Sequence, residues 1–412
     1  MNQLDASSRQ TPRFQEKRDA ILDAAARLFN QKGVKGGTLA DVAKRVGLVT
    51  HSVTYYYRRK EDLATECFLR AIEAIDAIVL RAQSAPGPSE RVRAFIDAYL
   101  ELLAGIASGR HPNLVRFNDV RALTGAHAEL VFAAYTDMFR RLRALLHDDA
   151  QVFSRPELNA RAHLLLSLAT WTRAWVPRYE IDDYGRVAER ISDILLHGIG
   201  SPASRWSTPA LPVAGPPAPG AADAVNAEAF LRAATHLVNE QGYRGASVDR
   251  ISARLKVTKG SFYHHHDNKD GLISACFERT FAVVRRAQEL ATAASGSGWL
   301  RLCAASSALV AYQVSKDGPL LRVSAWSALP EPARSEILLT LNRIAERFAN
   351  LIVEGMMDGS IRVLDQSIAA QLVSGMINAA AEIERWVPGV NEENAADLYA
   401  RPLFMGLLSA AG

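Results

Sequence analysis

Apolar residues recur at intervals of three and four along nearly the whole chain, and no segment sustains the strict alternation of a half-buried strand. The pattern predicts an all-α fold. Ile21, Leu22, Ala25, Leu28 and Phe29 share one face of a first helix, which Gly33 ends with a left-handed cap that glycine adopts without penalty. Thr38 stands three residues before Asp41, a variant of the capping box, and opens a short helix whose Val42 and Val46 point inward. Gly47 then turns the chain, a third short helix covers Thr50 to Tyr56, and a long fourth one starts near Lys60 and reaches about Gln83. Two short helices about a tight turn, flanked by longer ones, read as a helix-turn-helix unit. Further helical faces follow at Val92, Phe95, Ile96, Tyr99, Leu103 and Ile106, then at Leu130, Val131, Met138, Leu142 and Leu145, near Pro156 to Val176 and near Asp183 to His197. Pro177 and, far downstream, Pro388 are each expected to end a helix, because proline lacks the backbone donor and clashes with the preceding turn. One final helix is expected after each.

The same order of elements occurs twice. Sliding the chain on itself by 209 residues superimposes Ala24 to Phe68 on Ala233 to Phe277 without a gap, with 12 identities in 45 positions, among them Asn30/Asn239, Gly33/Gly242, Arg45/Arg254, Ser52/Ser261, Lys60/Lys269 and Cys67/Cys276. Thr38 is matched by Ser247, Val42 by Ile251 and Val46 by Leu255, and Trp175-Val176-Pro177 returns late in the second half as Trp386-Val387-Pro388. The whole unit is therefore duplicated. Between the copies, 200–224 is rich in Pro, Ala, Gly and Ser, a composition that reads as an extended linker long enough for side-by-side halves. The resulting division is a first helix-turn-helix domain at 14–74, a first larger helical domain at 75–199, the linker at 200–224, a second helix-turn-helix domain at 225–284 and a second larger helical domain at 285–412.

Composition narrows the classes. With 49% hydrophobic residues in 412, the chain has apolar material for folded cores, and no run approaches the ~18 apolar residues that span a bilayer. The polar stretch Met1 to Arg18 lacks a secretory signal, so a cytoplasmic protein is expected. Cys67, Cys276 and Cys303 form neither a disulfide framework nor a zinc spacing and are expected in the core. The net charge of +4 is unevenly placed. Arg9 to Arg70 carries 13 Lys or Arg against 7 Asp or Glu, Asn226 to Arg286 carries 10 against 6, and the remainder is acidic. Two basic modules point to a polyanion.

The segment Lys259-Gly260-Ser261-Phe262-Tyr263-His264-His265-His266, followed by Asn268-Lys269-Asp270 and Leu272, resembles the recognition-helix signature of tetracycline-repressor-type (TetR) transcription regulators. Ser52-Val53-Thr54-Tyr55-Tyr56-Tyr57-Arg58-Arg59-Lys60-Glu61-Asp62-Leu63 resembles it too. The resemblance is specific over about 60 residues in each half and elsewhere extends only to the layout of helices. It implies a three-helix DNA-binding unit, a helical ligand-binding and dimerising domain, and a repressor released from its operator by a small molecule. Members of the family are normally homodimers, joined through their last two helices. Here one chain supplies both halves, so helices around Trp171 to Val176 and Asp183 to His197 are expected against those around Ile368 to Val387 and Asn394 to Leu408, a monomeric pseudo-dimer with the linker supplying high local concentration.

The residues support a DNA reader on their own terms. Thr50, His51, Ser52, Thr54, Tyr55 and Tyr56 give a short helix hydrogen-bonding groups of the size that reaches base edges in a major groove about 12 Å wide. Lys259, Gly260, Ser261, Tyr263, His264 and His265 are the counterparts in the second copy. Thr38 and Ser247 at their caps are further candidate DNA-binding residues, and Lys60 and Lys269 at the start of the fourth helices are placed to hold phosphates, which sets register rather than sequence. The copies differ. Arg9, Arg13, Lys17 and Arg18 precede only the first, Lys256 stands in place of Gly47, Asp267 replaces Arg58, and His51 and Thr54 depart from the family pattern in the first copy. An operator with two unlike half-sites is therefore expected. Double-stranded operator DNA and a small hydrophobic inducer are the expected partners, with Tyr99, Phe117, Trp171, Trp175, Tyr312 and Trp326 as candidate ligand-binding residues and Trp299 and Trp386 as further aromatics. Core packing is the competing account of each. His264 to His266 cannot converge on one metal, because neighbours on a helix point about 100° apart. No catalytic or cofactor motif occurs, so neither an enzyme nor a cofactor is expected. The rival is a helical small-molecule sensor or interaction protein in which one or both helix-turn-helix units no longer bind DNA.

Overall fold

The computed structural model describes residues 11–148, 153–213, 222–256 and 268–410. Helices build it, and Gly200 and Ile361 form an isolated antiparallel bridge. In the first half α1 (Pro12–Lys32), α2 (Leu39–Arg45) and α3 (Thr50–Tyr56) form a head, and α4 (Lys60–Gln83) leads from it into a body of α5 (Pro88–Ala107), α6 (Gly125–Ala144), α7 (Arg155–Trp175) and α8 (Tyr184–His197). In the second half α9 (Ala222–Gly245) and α10 (Val248–Leu255) belong to the head, and α11 (Lys269–Ala293) leads into α12 (Gly298–Val314), α13 (Glu331–Met357), α14 (Gln366–Ala380), the short α15 (Ile383–Trp386) and α16 (Arg401–Met405). The all-α duplicated architecture follows the sequence pattern.

The expected faces are the buried ones. Ile21, Leu22, Ala25, Leu28 and Phe29 are buried along α1, and Gly33 ends it at φ 70°. In the second half Gly242 (φ 72°) kinks α9 at the matching place. The bounds of α3 and α4 agree with those read from the pattern. α4 and α11 run unbroken through residues 74–75 and 284–285, so head and body share a helix in each half.

The halves pack side by side as an intramolecular pseudo-dimer. α7 lies against α14, α15 and the π-turn Ala396–Ala400, while α8 lies against α14 and α16. Gly375 lets α14 approach closely, since a Cβ there would sit 2.6 Å from Cδ1 of Trp171. Polar groups are matched across the same surface. Arg161 donates to the carbonyls of Leu407 and Ser409 (both 3.0 Å), Asn159 to that of Trp386 (2.8 Å), and His163 Nδ1 lies 2.9 Å from the Tyr399 hydroxyl. One hydrophobic cluster is continuous through both halves.

The second half departs from the regular helices expected of it. The penultimate helix breaks after Ala380 and resumes only for α15, so Pro388 ends a four-residue helix, with Val387 forced into the extended backbone that precedes a proline. The final helix opens into the π-turn Ala396–Ala400 before α16, where Pro402 has no N–H to close a regular turn. Residues 200–213 form no helix but are pinned to the second half. Trp206 donates to the Asp397 carboxylate (2.6 Å) and packs on Phe404, Trp299 donates to the Arg205 carbonyl (2.9 Å), and Val213 is buried. The apolar side chains scattered through this Pro-rich stretch give it something to bury.

Candidate functional site: two reading heads and a shared cavity

The first head is held by local bonds that free one face. Asp41 N–H donates to the Thr38 hydroxyl (3.1 Å), while the Asp41 carboxylate accepts from Thr38 N–H (3.1 Å) and O–H (2.8 Å). Those hydrogen bonds from Thr38 hold the Asp41 carboxyl below its usual range. Gly47 turns the chain into α3 at φ 67°, and a Cβ there would touch nothing, so backbone conformation alone selects glycine. Val53 is buried under α3, whereas Thr50, His51 and Tyr55 are exposed, Tyr55 by 75%. Ser52, Thr54 and Tyr56 are half-buried. Thr54 returns its hydroxyl to the His51 carbonyl (2.9 Å), and Tyr56 packs on Phe14 of α1 with ring centroids 4.7 Å apart. Phe14 was not legible as part of the site. Lys60 begins α4 with Nζ 3.4 Å from the Lys35 carbonyl. Of the basic arm, Arg13 and Lys17 are exposed, Arg18 is paired with Glu66, and Arg9 lies outside the described residues.

The second head repeats this frame with differences. Ser247 caps α10 by accepting from Arg250 N–H (3.3 Å), and Arg254 pairs with Glu240 (3.1 Å) where Arg45 binds Gln31 (2.6 Å) in the first head. Lys256 takes φ 57°, ψ 38°, the left-handed backbone that Gly47 supplies in the first copy. Lys269 places its ammonium 4.2 Å above the Tyr243 ring, an aromatic that Val34 replaces in the first half. Lys259, Gly260, Ser261, Tyr263, His264 and His265 lie outside the described residues, as does Asp267.

Each head is fastened to its body by the same residue. Asn30, near the end of α1, donates to the Leu114 carbonyl (2.9 Å) and accepts from Arg116 N–H (2.8 Å). Asn239 in α9 donates to the Leu320 carbonyl (2.9 Å) and accepts from Arg322 N–H (3.0 Å). This identity of the repeat is thus a pair of equivalent clamps.

Both clamped segments form walls of one cavity of about 520 Å³. Tyr99, Phe117 and Trp171 line it, and Trp386 joins them from the second half. Trp175 is packed against Tyr179 beside a smaller cleft of about 150 Å³, and Tyr312 accepts from Arg279 (2.9 Å) within the second body, so neither faces this cavity. The side chain of Trp326 lies outside the described residues. Sequence reasoning missed the charged lining. Glu382 is paired with both Arg121 and Arg322, the latter at 2.8 Å. Burial pushes its carboxyl up, but Arg322 and Arg121 outweigh that and hold it below its ordinary value. Arg121 also donates to the Asn239 carbonyl, tying the first body to the second head. His163 is pushed down to about 4 by burial and is neutral at pH 7. Burial likewise raises the Cys67 and Cys276 thiols to about 12, which makes them inert core groups.

A helix-turn-helix head, and a second head whose described helices repeat its frame, on one helical body define a DNA-binding regulator. Residues 21–67 and again 230–276 match the domain described as bacterial regulatory proteins, tetR family, and 295–386 match the tetracyclin repressor-like C-terminal domain. The chain belongs to that family, with its DNA-binding unit present twice. It is 24% identical over 149 residues to the transposon Tn10 TetC protein of Escherichia coli, covering 36% of this chain and 74% of that one. It is 26% identical over 148 residues to the HTH-type transcriptional repressor DhaR of Mycobacterium sp. (strain GP1), covering 35% and 73%. Among solved structures, a TetR-family transcriptional regulator from Bordetella parapertussis 12822 aligns with a TM-score of 0.38 at 19% identity, over 44% of this chain and 94% of that one. No helix among the described residues is long and apolar enough to cross a membrane.

Proposed function

We propose that this regulator acts as a single chain, a monomeric pseudo-dimer whose two heads read unlike half-sites of one operator, and that a small ligand in the shared cavity releases it. The first head reads through Thr50, His51, Ser52, Thr54, Tyr55 and Tyr56, with Thr38 and Lys60 on phosphates. The second reads through Lys259, Gly260, Ser261, Tyr263, His264 and His265, with Ser247 and Lys269 as their counterparts. In domain terms, 14–74 and 225–284 read DNA while 75–199 and 285–412 form the regulatory body. Repression agrees with the similarity to DhaR, a transcriptional repressor.

The observation that carries this reading is that one cavity is walled by Leu114 to Arg116 and by Arg322 and Val323, the segments that Asn30 and Asn239 clamp to the two heads. A ligand that moves these walls acts on both heads, which a ligand confined to one half would not do. Selection of bound genomic DNA, followed by binding to palindromes built from either half-site, tests it. The expected result is that the natural site exceeds both palindromes, with affinity falling steeply as log[salt] rises. Both palindromes binding as tightly as the natural site defeats the two-half-site reading, and a flat salt response favours a sensor that no longer binds DNA. Light scattering at micromolar concentration is expected to give the mass of one chain.

A further inference from the structure

The charge inside the cavity assigns a ligand class. The described lining residues include five arginines, Arg116, Arg121, Arg173, Arg322 and Arg385, against the single carboxylate of Glu382. Arg121 and Arg322 are both turned to that carboxylate. Arg116 and Arg173 are not, and no described carboxylate pairs with either. Arg173 spends one N–H on the Leu114 carbonyl (2.9 Å), whereas the Arg116 Nε is buried without a hydrogen-bond partner among the described residues. The two cations feel each other. Burial, and then repulsion from Arg173, push Arg116 down to about 10, and the buried phenol of Tyr99 lies close enough to sense both charges. Around this polar corner the walls are apolar, with Leu103, Ile106, Phe132, Trp171 and Trp386 among them.

We propose that the cavity takes an amphiphilic oxyanion, an apolar body carrying a carboxylate or phosphate head that Arg116 and Arg173 grip together. Two partly buried guanidiniums that no carboxylate neutralises are costly unless an anion joins them, and the planar fork of arginine suits a two-oxygen head. A neutral apolar ligand fills the volume and leaves that cost in place. Such volumes are typical of sites for drug-sized molecules. The assignment rests on the reading of the cavity as the regulatory site, deepening it by naming what enters.

The test is calorimetry on the full chain with sodium decanoate, decyl phosphate and methyl decanoate, below their micellar range, on the wild type, Arg116→Met and Arg173→Met. At least one oxyanion is expected to bind more tightly than the ester, and the two heads tell carboxylate from phosphate. Losing one charge-assisted contact weakens that oxyanion by roughly 10- to 150-fold. Arg116→Met is the informative variant because its side chain makes no described bond to lose. Unchanged ester binding by the variant shows that the cavity persists. Ester binding equal to that of both oxyanions in the wild type, unchanged oxyanion binding by Arg116→Met, or no binding of any of the three overturns the proposal. A separate titration of operator complex with the bound oxyanion addresses regulation. Binding without release sinks the regulatory reading and leaves the ligand class standing.

Discussion

Glu382→Gln removes the one carboxylate that two arginines share across the junction of the halves. The side chains involved are only 20% (Glu382), 22% (Arg121) and 16% (Arg322) exposed, so water screens them weakly. Removing one member of a buried ion pair leaves an uncompensated charge at a cost of about 3–5 kcal/mol, and the residual exposure here places the loss near 3. The damage spreads, because Arg121 also holds the Asn239 carbonyl and Arg322 N–H is clamped by the Asn239 side chain. Urea unfolding followed by circular dichroism measures the loss at pH 7. The double variant Glu382→Gln/Arg322→Met is expected to recover part of it, since it withdraws one stranded cation. The pH dependence has a definite sign. Glu382 has its folded pKa depressed below 4.5, so its contribution is complete above the unfolded value and is lost as pH falls through the folded one. Wild type is expected to keep its margin over Glu382→Gln at pH 7 and pH 5 and to lose it progressively below about pH 4. A loss under about 1 kcal/mol at pH 7, or a margin that persists in acid, refutes the assignment of a stabilising triad.

Three other outcomes follow from single contacts. Lys256→Gly relieves a left-handed residue worth about 1–2 kcal/mol, offset by about 0.5–1 kcal/mol of extra chain freedom, so α10 amides are expected to exchange more slowly by up to about tenfold; faster exchange contradicts the strain argument. Gly375→Ala drives a methyl to 2.6 Å from Trp171 Cδ1 and is expected to lower the urea midpoint by an amount equivalent to about 1–3 kcal/mol, which an unchanged midpoint disproves. Asn239→Ala removes two hydrogen bonds and is expected to cost about 1–3 kcal/mol in binding to the palindrome read by the second head, leaving the first-head palindrome untouched; equal losses on both show that Asn239 acts on general stability.

The heads were legible because their signals are local. Thr38 with Asp41 fixes a cap within four residues, and Gly47 fixes a turn by one dihedral angle, so α3 and α4 fell at the bounds read from the pattern. Lys256 keeps the positive φ of Gly47 in the second copy, although it is not a glycine. The cavity obeys no such rule. Tyr99, Trp175 and Tyr312 have the same aromatic character at helical spacing, and only the rotation of each helix within the bundle decides that Tyr99 faces the void. Arg121 and Glu382 are 261 residues apart, and nothing in either neighbourhood marks the partner. Asn30 and Asn239 stood among the repeat identities, yet a polar residue near a helix end reads equally as a solvated position, and its clamp appears only when residues 114–116 and 320–322 are folded back upon it.

Fusion of the halves explains why their asymmetry is tolerated and what it accomplishes. In an assembly of identical subunits, any change in a helix appears on both sides of the axis, so a break that favours one wall of a cavity is imposed on its mate. A duplicated chain carries no such constraint. α7 is continuous from Arg155 to Trp175, whereas its counterpart stops at Ala380 and restarts at Ile383, and the interruption is where Glu382 and, just beyond it, Trp386 enter the cavity that α7 lines with His163 and Trp171. The break in one half thus completes a site in the other. It also brings the segment clamped by Asn239 to the same void as the segment clamped by Asn30. Among the described residues the coupling is unequal, because Arg121 gives the second head an additional bond from the far body. One occupant therefore has two levers of different length, on two heads whose reading faces have already diverged.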